Sequence, residues 1–276
     1  MGCTKTQKTC RCERFPAKQS RRFEHKIQRL FQQVDVKQLH GIIVGVPIVN
    51  IPAILRRQRQ FIDGKDLNHI MPGKPDGDVS EVYAYRLFHK IIRHFNYLVD
   101  LHTASVGRIN SYYIRADMDK PETAMMANLQ NAQIIVHNPP RDGTLRGAAD
   151  ALGIPAITIE VGDPSTFQRG MIRSSLTGIH NLLHHHGFTL GDIEQGQIPA
   201  IVCRKSQWLY TDAGGILRVY PEIVESVKRG QRIASISNIY GDMIKEYFAQ
   251  ENGVVIGKSV NPICPTGGRI LHLGLK

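Results

Sequence analysis

Three segments of this 276-residue chain carry side chains able to do chemistry together. Val99-Asp100-Leu101-His102 ends an apolar run on an imidazole, with a carboxylate two residues before it. Thr158-Ile159-Glu160-Val161-Gly162 sets a carboxylate near the end of another apolar run. Arg59 precedes Asp63-Gly-Lys-Asp-Leu-Asn-His-Ile-Met-Pro-Gly73, a turn-rich stretch holding Asn68 among Gly and Pro residues suited to unusual backbone angles. A His ligand and a separate Glu base are the minimum kit for metal-assisted hydrolysis, in which the ion lowers the pKa of bound water and the carboxylate takes its proton. Each piece alone has a plainer reading: a hydrogen-bonded structural His, a solvated Glu, an Asx-turn at Asp66-Leu-Asn68. His180-x-x-x-His184 has metal-ligand spacing on a helix, but no Glu follows His180, and a wet helix surface running into His184-His-His186 is the simpler expectation. Cys10-x-Cys12 has no second pair to complete a zinc knuckle.

The elements that must position these groups alternate. Gly41–Asn50 is a nearly continuous β-branched run bounded by Gly and Pro, the pattern of a strand buried on both faces. Similar runs recur at Tyr97 to Leu101, Ala132 to Val136 and Ala156 to Val161. Helical spacing marks Phe23 to Gln33, Ser80 to His94, Thr144 to Leu152 and Met171 to His186. The order predicts an α/β fold, a mixed sheet flanked by helices, with the chemistry just beyond the strand C-terminal ends. From about Gln197 the chain reads as short Gly-punctuated strands, a small C-terminal β domain. The expected division is an atypical basic segment over 1–22, an α/β domain over 23–196 and a β domain over 197–276.

Charge sharpens that division. The net formal charge is +11, and residues 1–32 supply +7 of it with three of the five Cys and one of the 25 Gly. The other 244 residues are nearly balanced at +4. A basic chain raises nucleic acid as a partner, but the excess sits at one end and few aromatics interleave with it, so none is expected. No run reaches the roughly 18 apolar residues that span a bilayer. No secretory apolar core precedes Ile42, and sparse, odd Cys usage argues against a disulfide framework, so a cytoplasmic setting is expected.

The order of the pieces is more specific than any one of them. Val46-Pro-Ile-Val-Asn50, Asp63-Gly-Lys-Asp-Leu-Asn68 with Pro72-Gly73, Asp100-Leu-His102, Thr144-Leu-Arg146 and Glu160-Val-Gly162 together resemble the succinylglutamate desuccinylase/aspartoacylase family of the zinc carboxypeptidase superfamily. The resemblance covers about residues 27 to 276 and implies a zinc-carboxypeptidase-like fold with a barrel-sandwich-like C-terminal domain. It implies a Zn2+-dependent amide hydrolase acting on small N-acylated amino acids or amines. In its terms His102 is a zinc ligand, Glu160 the general base, and Arg59, Asn68 and Arg146 bind substrate. A guanidinium offers a carboxylate a bidentate fork, and a cationic donor stabilises an oxyanion. Asp100 is a reasonable supporting partner for His102. An oligomer is compatible with this reading.

Two departures bear on activity. The family's Asp-Leu-Asn-Arg is Asp66-Leu-Asn-His69 here, replacing a guanidinium with an imidazole mostly neutral at pH 7. The family's His-Gly-x-Glu zinc motif is expected near Ala17-Lys-Gln-Ser20, which lacks both ligands. One His does not hold zinc where three protein ligands are needed, so weak or absent zinc binding is expected. The alternative to a deacylase is an inactive family member that binds small molecules or serves as a scaffold.

Overall fold

The computed structural model describes residues 21–276 other than positions 57, 142 and 165, with side chains given from Ile27 onward. The Ala17–Ser20 stretch and Cys10-x-Cys12 lie outside the described residues. Along the chain come helices α1 (Arg21–Gln33), α2 (Ile51–Arg56) and α3 (Val79–Lys90), then strands β1 (Leu98–His102), β2 (Arg108–Asn110) and β3 (Tyr112–Ala116). Helix α4 (Pro121–Asn128), β4 (Ile134–His137), α5 (Leu145–Asp150), β5 (Ala156–Val161) and α6 (Arg169–His185) follow. The remainder is all strand: β6 (Ile201–Cys203), β7 (Lys205–Tyr210), β8 (Gly215–Val219), β9 (Ser226–Val227), β10 (Arg232–Ser237), β11 (Met243–Phe248), β12 (Gly253–Ser259), β13 (Ile263–Cys264) and β14 (Arg269–Leu275).

The first sheet has the order β1-β5-β3-β4-β6. β1 and β5 are parallel, β3 runs antiparallel to β5, and β4 and β6 are parallel to β3. The sheet is therefore mixed, as the alternating pattern predicts. Strand pleating sorts β5 into two sides. Ile157, Ile159 and Val161 join Tyr112, Ile114 and Leu182 in the core beneath α4 and α6. Ala156 packs under α3 and α5 with Ala84, Leu87, Phe88 and Leu145, and Thr158 and Glu160 share that side. Ile157 and Ile159 are fully buried, each worth about 1.5–3 kcal/mol in transfer from water. Helix α3 begins in a capping box, the Asp78 carboxylate accepting from the Glu81 amide while Glu81 reaches back to the Asp78 amide.

The second half forms two antiparallel sheets, β11-β10-β8-β13 and β2-β12-β14-β7. Two strands cross between the halves. β6, which follows residue 197, extends the first sheet, and β2, from the first half, is the edge of the β12-β14-β7 sheet. The two halves also share a core of Tyr113, Ile134, Val136, Cys203, Val254 and Ile256.

Gly41–Asn50 departs from the expected buried strand. It has no ladder partner, with Ile42 82% and Val44 50% exposed. Among the described residues β1 pairs on one side only, and its open edge faces a groove of about 1250 Å3 whose far wall is this run. With that space between them, the β-branched residues line the groove without the hydrogen bonds of a strand. The run is anchored at its ends: His40 N–H donates to Phe188 O at 2.8 Å, the Tyr83 hydroxyl donates to Val49 O at 2.7 Å, and Asn50 Oδ1 accepts from Ala53 N–H at the start of α2. No helix among the described residues is long and apolar enough to cross a membrane.

Candidate active site at the β1–β5 strand ends

His102 and Glu160 are register partners on adjacent parallel strands, so their side chains leave the same face. Alternation puts Asp100 on that face from β1, and the antiparallel pairing adds Tyr113, opposite Glu160, and Arg115, opposite Thr158. One patch at the sheet's C-terminal rim thus holds two carboxylates, an imidazole, a phenol and a guanidinium.

The contacts are specific. His102 Nε2 donates to Asp100 Oδ2 at 2.9 Å. This fixes the ring and its tautomer and leaves Nδ1 without a hydrogen bond among the described residues. Burial works against charge on both groups, but their attraction outweighs it, so Asp100 is held below the usual carboxylate range and His102 above the usual imidazole value. Glu160 is 5% exposed, and its two oxygens have separate partners: Oε2 accepts from Asn110 Nδ2 at 3.2 Å, and Oε1 forms an ion pair with Arg115 at 3.4 Å. Arg115 also donates to the Tyr113 hydroxyl, at 2.6 Å. Burial raises the Tyr113 phenol, so it stays protonated at neutral pH.

The other sequence-predicted residues ring this patch at different depths. Arg59 lines the groove, and its Nε donates to Asp66 Oδ2 at 2.6 Å. Asn68 sits in a 3₁₀ turn capped by Asp66, and its Oδ1 accepts from Leu145 N–H at 2.9 Å, joining the turn to the start of α5. His69, beside it, is exposed. Arg146 is 6% exposed and donates to Asn138 through both terminal nitrogens, to the main-chain oxygen at 3.1 Å and to Oδ1 at 2.5 Å. Burial, with Arg115 nearby, lowers its pKa to about 10, so it remains charged at neutral pH. Its guanidinium acts at a distance on Asp100. The structure therefore brings His102, Asp100 and Glu160 together, puts Arg59 and Asn68 in the groove wall, and ties Arg146 to the loop after β4. Sequence reasoning missed Asn110, Tyr113 and Arg115. Tyr113-x-Arg115 carries an alternation signal, but its importance depends on the reversal of β3 against β5.

His102 meets one condition for holding a metal ion, an oriented ring backed by a carboxylate, with an Nδ1 that has no partner among the described residues. The described residues do not supply the other two ligands of a zinc site. Among them, the His, Cys, Asp and Glu groups that come close enough to share an ion are Asp117, Asp119 and His137, at the opposite rim of the sheet. There His137 Nδ1 already accepts from Met118 N–H at 3.1 Å, and Asp117 Oδ1 from Asp119 N–H at 3.2 Å, as the turn into α4 requires.

The model of the succinylglutamate desuccinylase/aspartoacylase catalytic domain matches residues 25–186, more than half of the chain. The chain belongs to this family. The match spans all three segments that carry the site. Beyond it, the chain is 23% identical over 245 residues to an N-alpha-acetyl-L-2,4-diaminobutyric acid deacetylase of Halomonas elongata, covering 84% of this chain and 72% of that protein. Among solved structures, the product-bound ectoine utilization protein EutE (DoeB) from Ruegeria pomeroyi superimposes with a TM-score of 0.82 at 21% identity, covering 91% of this chain and 80% of that one. A succinylglutamate desuccinylase from Silicibacter sp. TM1040 gives the same TM-score and identity over 91% of this chain and 79% of its own. At these identities the structures share the family fold with this member.

Proposed function

We propose that the chain is a hydrolase of amide bonds in small N-acylated amino acids or amines, working at the His102–Glu160 patch. The observation that carries this is the buried Glu160 carboxylate facing the His102 ring across the β1–β5 ladder, within a chain of the desuccinylase/aspartoacylase family. In this reading Glu160 takes the proton of the attacking water and passes it to the leaving nitrogen, its carboxylate paired in register with the groove-lining His102. Arg115, held by the Tyr113 hydroxyl, sits where it can offset the charge that grows as the carbonyl oxygen becomes an oxyanion. Arg59 and Asn68 line the groove through which a small acyl compound enters. Arg146 supports the site by fixing the Asn138 loop and by its charge on Asp100. Zinc is the family's expected ion, and at this patch His102 is the residue placed to touch one; because the described residues do not complete the set, no step here depends on it.

The test is release of carboxylate from N-acetyl and N-succinyl amino acids, with and without added zinc. Turnover lost in Glu160→Gln with an unchanged far-ultraviolet spectrum is the expected result, and unchanged turnover defeats the base assignment. Elemental analysis after dialysis is expected to find zinc well below one equivalent. The pairing of both Glu160 oxygens and of the His102 ring favours a second reading, a binding protein that holds the acyl compound without cleaving it. Saturable binding with no release over hours selects that reading.

A further inference from the structure

Charge pairing around the site leaves a remainder. Arg59 pairs with Asp66, His102 with Asp100, and Arg115 with Glu160. Two further guanidiniums, Arg108 and Arg269, flank the ring of Trp208, their central carbons 5.6 and 5.0 Å from its centroid. Neither forms an ion pair with a described carboxylate. A cation over an indole is only weakly stabilised where exposed, which does not neutralise two like charges brought onto one ring. Burial, and then the charges of Arg269 and Arg59, press on the ionisation of Arg108. His272 stacks on the same indole at 4.8 Å and 8°, buried, with its Nδ1 unbonded among the described residues, so the platform is held from below by a neutral ring that adds no counter-charge.

The platform also lies next to Glu160. Arg108 and Asn110 are alternate residues of β2 and leave the same face, about 7 Å apart along the strand. The Asn110 amide is the one that touches Glu160 Oε2. Where Asn110 faces β12, the partner is Gly257, whose missing side chain leaves Asn110 Oδ1 its space.

We propose that Arg108 and Arg269, held on Trp208, form a separate carboxylate-recognising subsite contributed by the β domain, two residues along β2 from the Asn110 that touches Glu160. This rests on the hydrolase reading for its location, but its test needs no turnover. Trp208 is the single tryptophan of the chain, so its fluorescence reports the platform directly. The full chain is titrated at constant ionic strength with N-acetylglycine and with uncharged N-acetylglycinamide. The acid is expected to change Trp208 emission saturably with a Kd at least roughly tenfold below that of the amide, the effect of a charge-assisted contact. In Arg108→Gln the preference is expected to shrink to about twofold or less, and Arg269→Gln, on an exposed side chain, gives a second variant with the fold undisturbed. Equal Kd values for acid and amide, or a preference unchanged in both variants, overturns the subsite. Carboxylate release measured in the same samples separates the two ideas: selective binding without release removes the hydrolase reading and leaves the subsite standing.

Discussion

The two rims of the first sheet each place an imidazole beside carboxylates, and only one of them resembles a site. At the β1–β5 rim, His102 has no hydrogen bond at Nδ1 among the described residues, and Glu160 is buried with side-chain partners from two other strands. At the β3–β4 rim, His137 and Asp117 spend their acceptor atoms on the amides of Met118 and Asp119. Their proximity follows from the needs of a turn leading into α4, whose orphan amides and hydroxyls want acceptors. Closeness of ligand-type atoms therefore says less than what those atoms are already doing. The deciding feature is a polar group supported from outside its own loop and still left with an unused valence.

That contrast can be broken by substitution. The largest expected effect is at Glu160: Glu160→Gln should lower turnover by about 10²–10⁴-fold, read as kcat on an N-acyl amino acid, with thermal unfolding little changed. Next is Gly257→Ala, whose new Cβ would stand 2.3 Å from Asn110 Oδ1 and 2.8 Å from Ile109 O. Overpacking there is expected to cost about 1–3 kcal/mol in urea unfolding and to displace the amide that supports Glu160. Third, acid should weaken the fold through His272, whose neutral form is favoured first by burial and then by Arg115 and Arg269, lowering its pKa to about 3 from 6.5. The unfolded chain binds the extra proton between those values, so stability is fully present above about pH 6.5 and falls toward pH 3, by at most about 1.4 kcal/mol per unit from this group. His272→Gln should flatten that slope in pH-dependent urea titrations. The smallest effect is at the other rim: His137→Ala should cost about 1 kcal/mol in stability and leave turnover within about twofold, and a large loss of activity would erase the distinction between the rims.

How much of this was legible in the sequence differs along the chain. β5 was readable because an unbroken apolar run needs cover on both faces, and the structure bounds it at Ala156–Val161 as expected. Helix α6 was readable from its 3.6-residue period, and the β domain from its Gly punctuation. His102 and Glu160 were legible as strand-end groups. Their partners were not, because Arg115 and Asn110 reach Glu160 through the reversal of β3 and the crossing of β2 into the other sheet, both set by long-range pairing. Gly41–Asn50 fails for a related reason. Its residues have the composition of a core strand, but a strand exists only where a neighbour accepts its hydrogen bonds, and the groove beside β1 offers it none.

Among the described residues β1 keeps one edge unpaired, and such an edge bears on how a molecule behaves in bulk. Outward-pointing amides and carbonyls on an edge strand are a template for any extended chain, and the nearest apolar cover is a half-exposed run with no ladder of its own. Cover from within the chain is independent of concentration, whereas addition of a segment from another copy grows with it. An edge left unpaired thus ties self-association to concentration, on the strand that also carries His102.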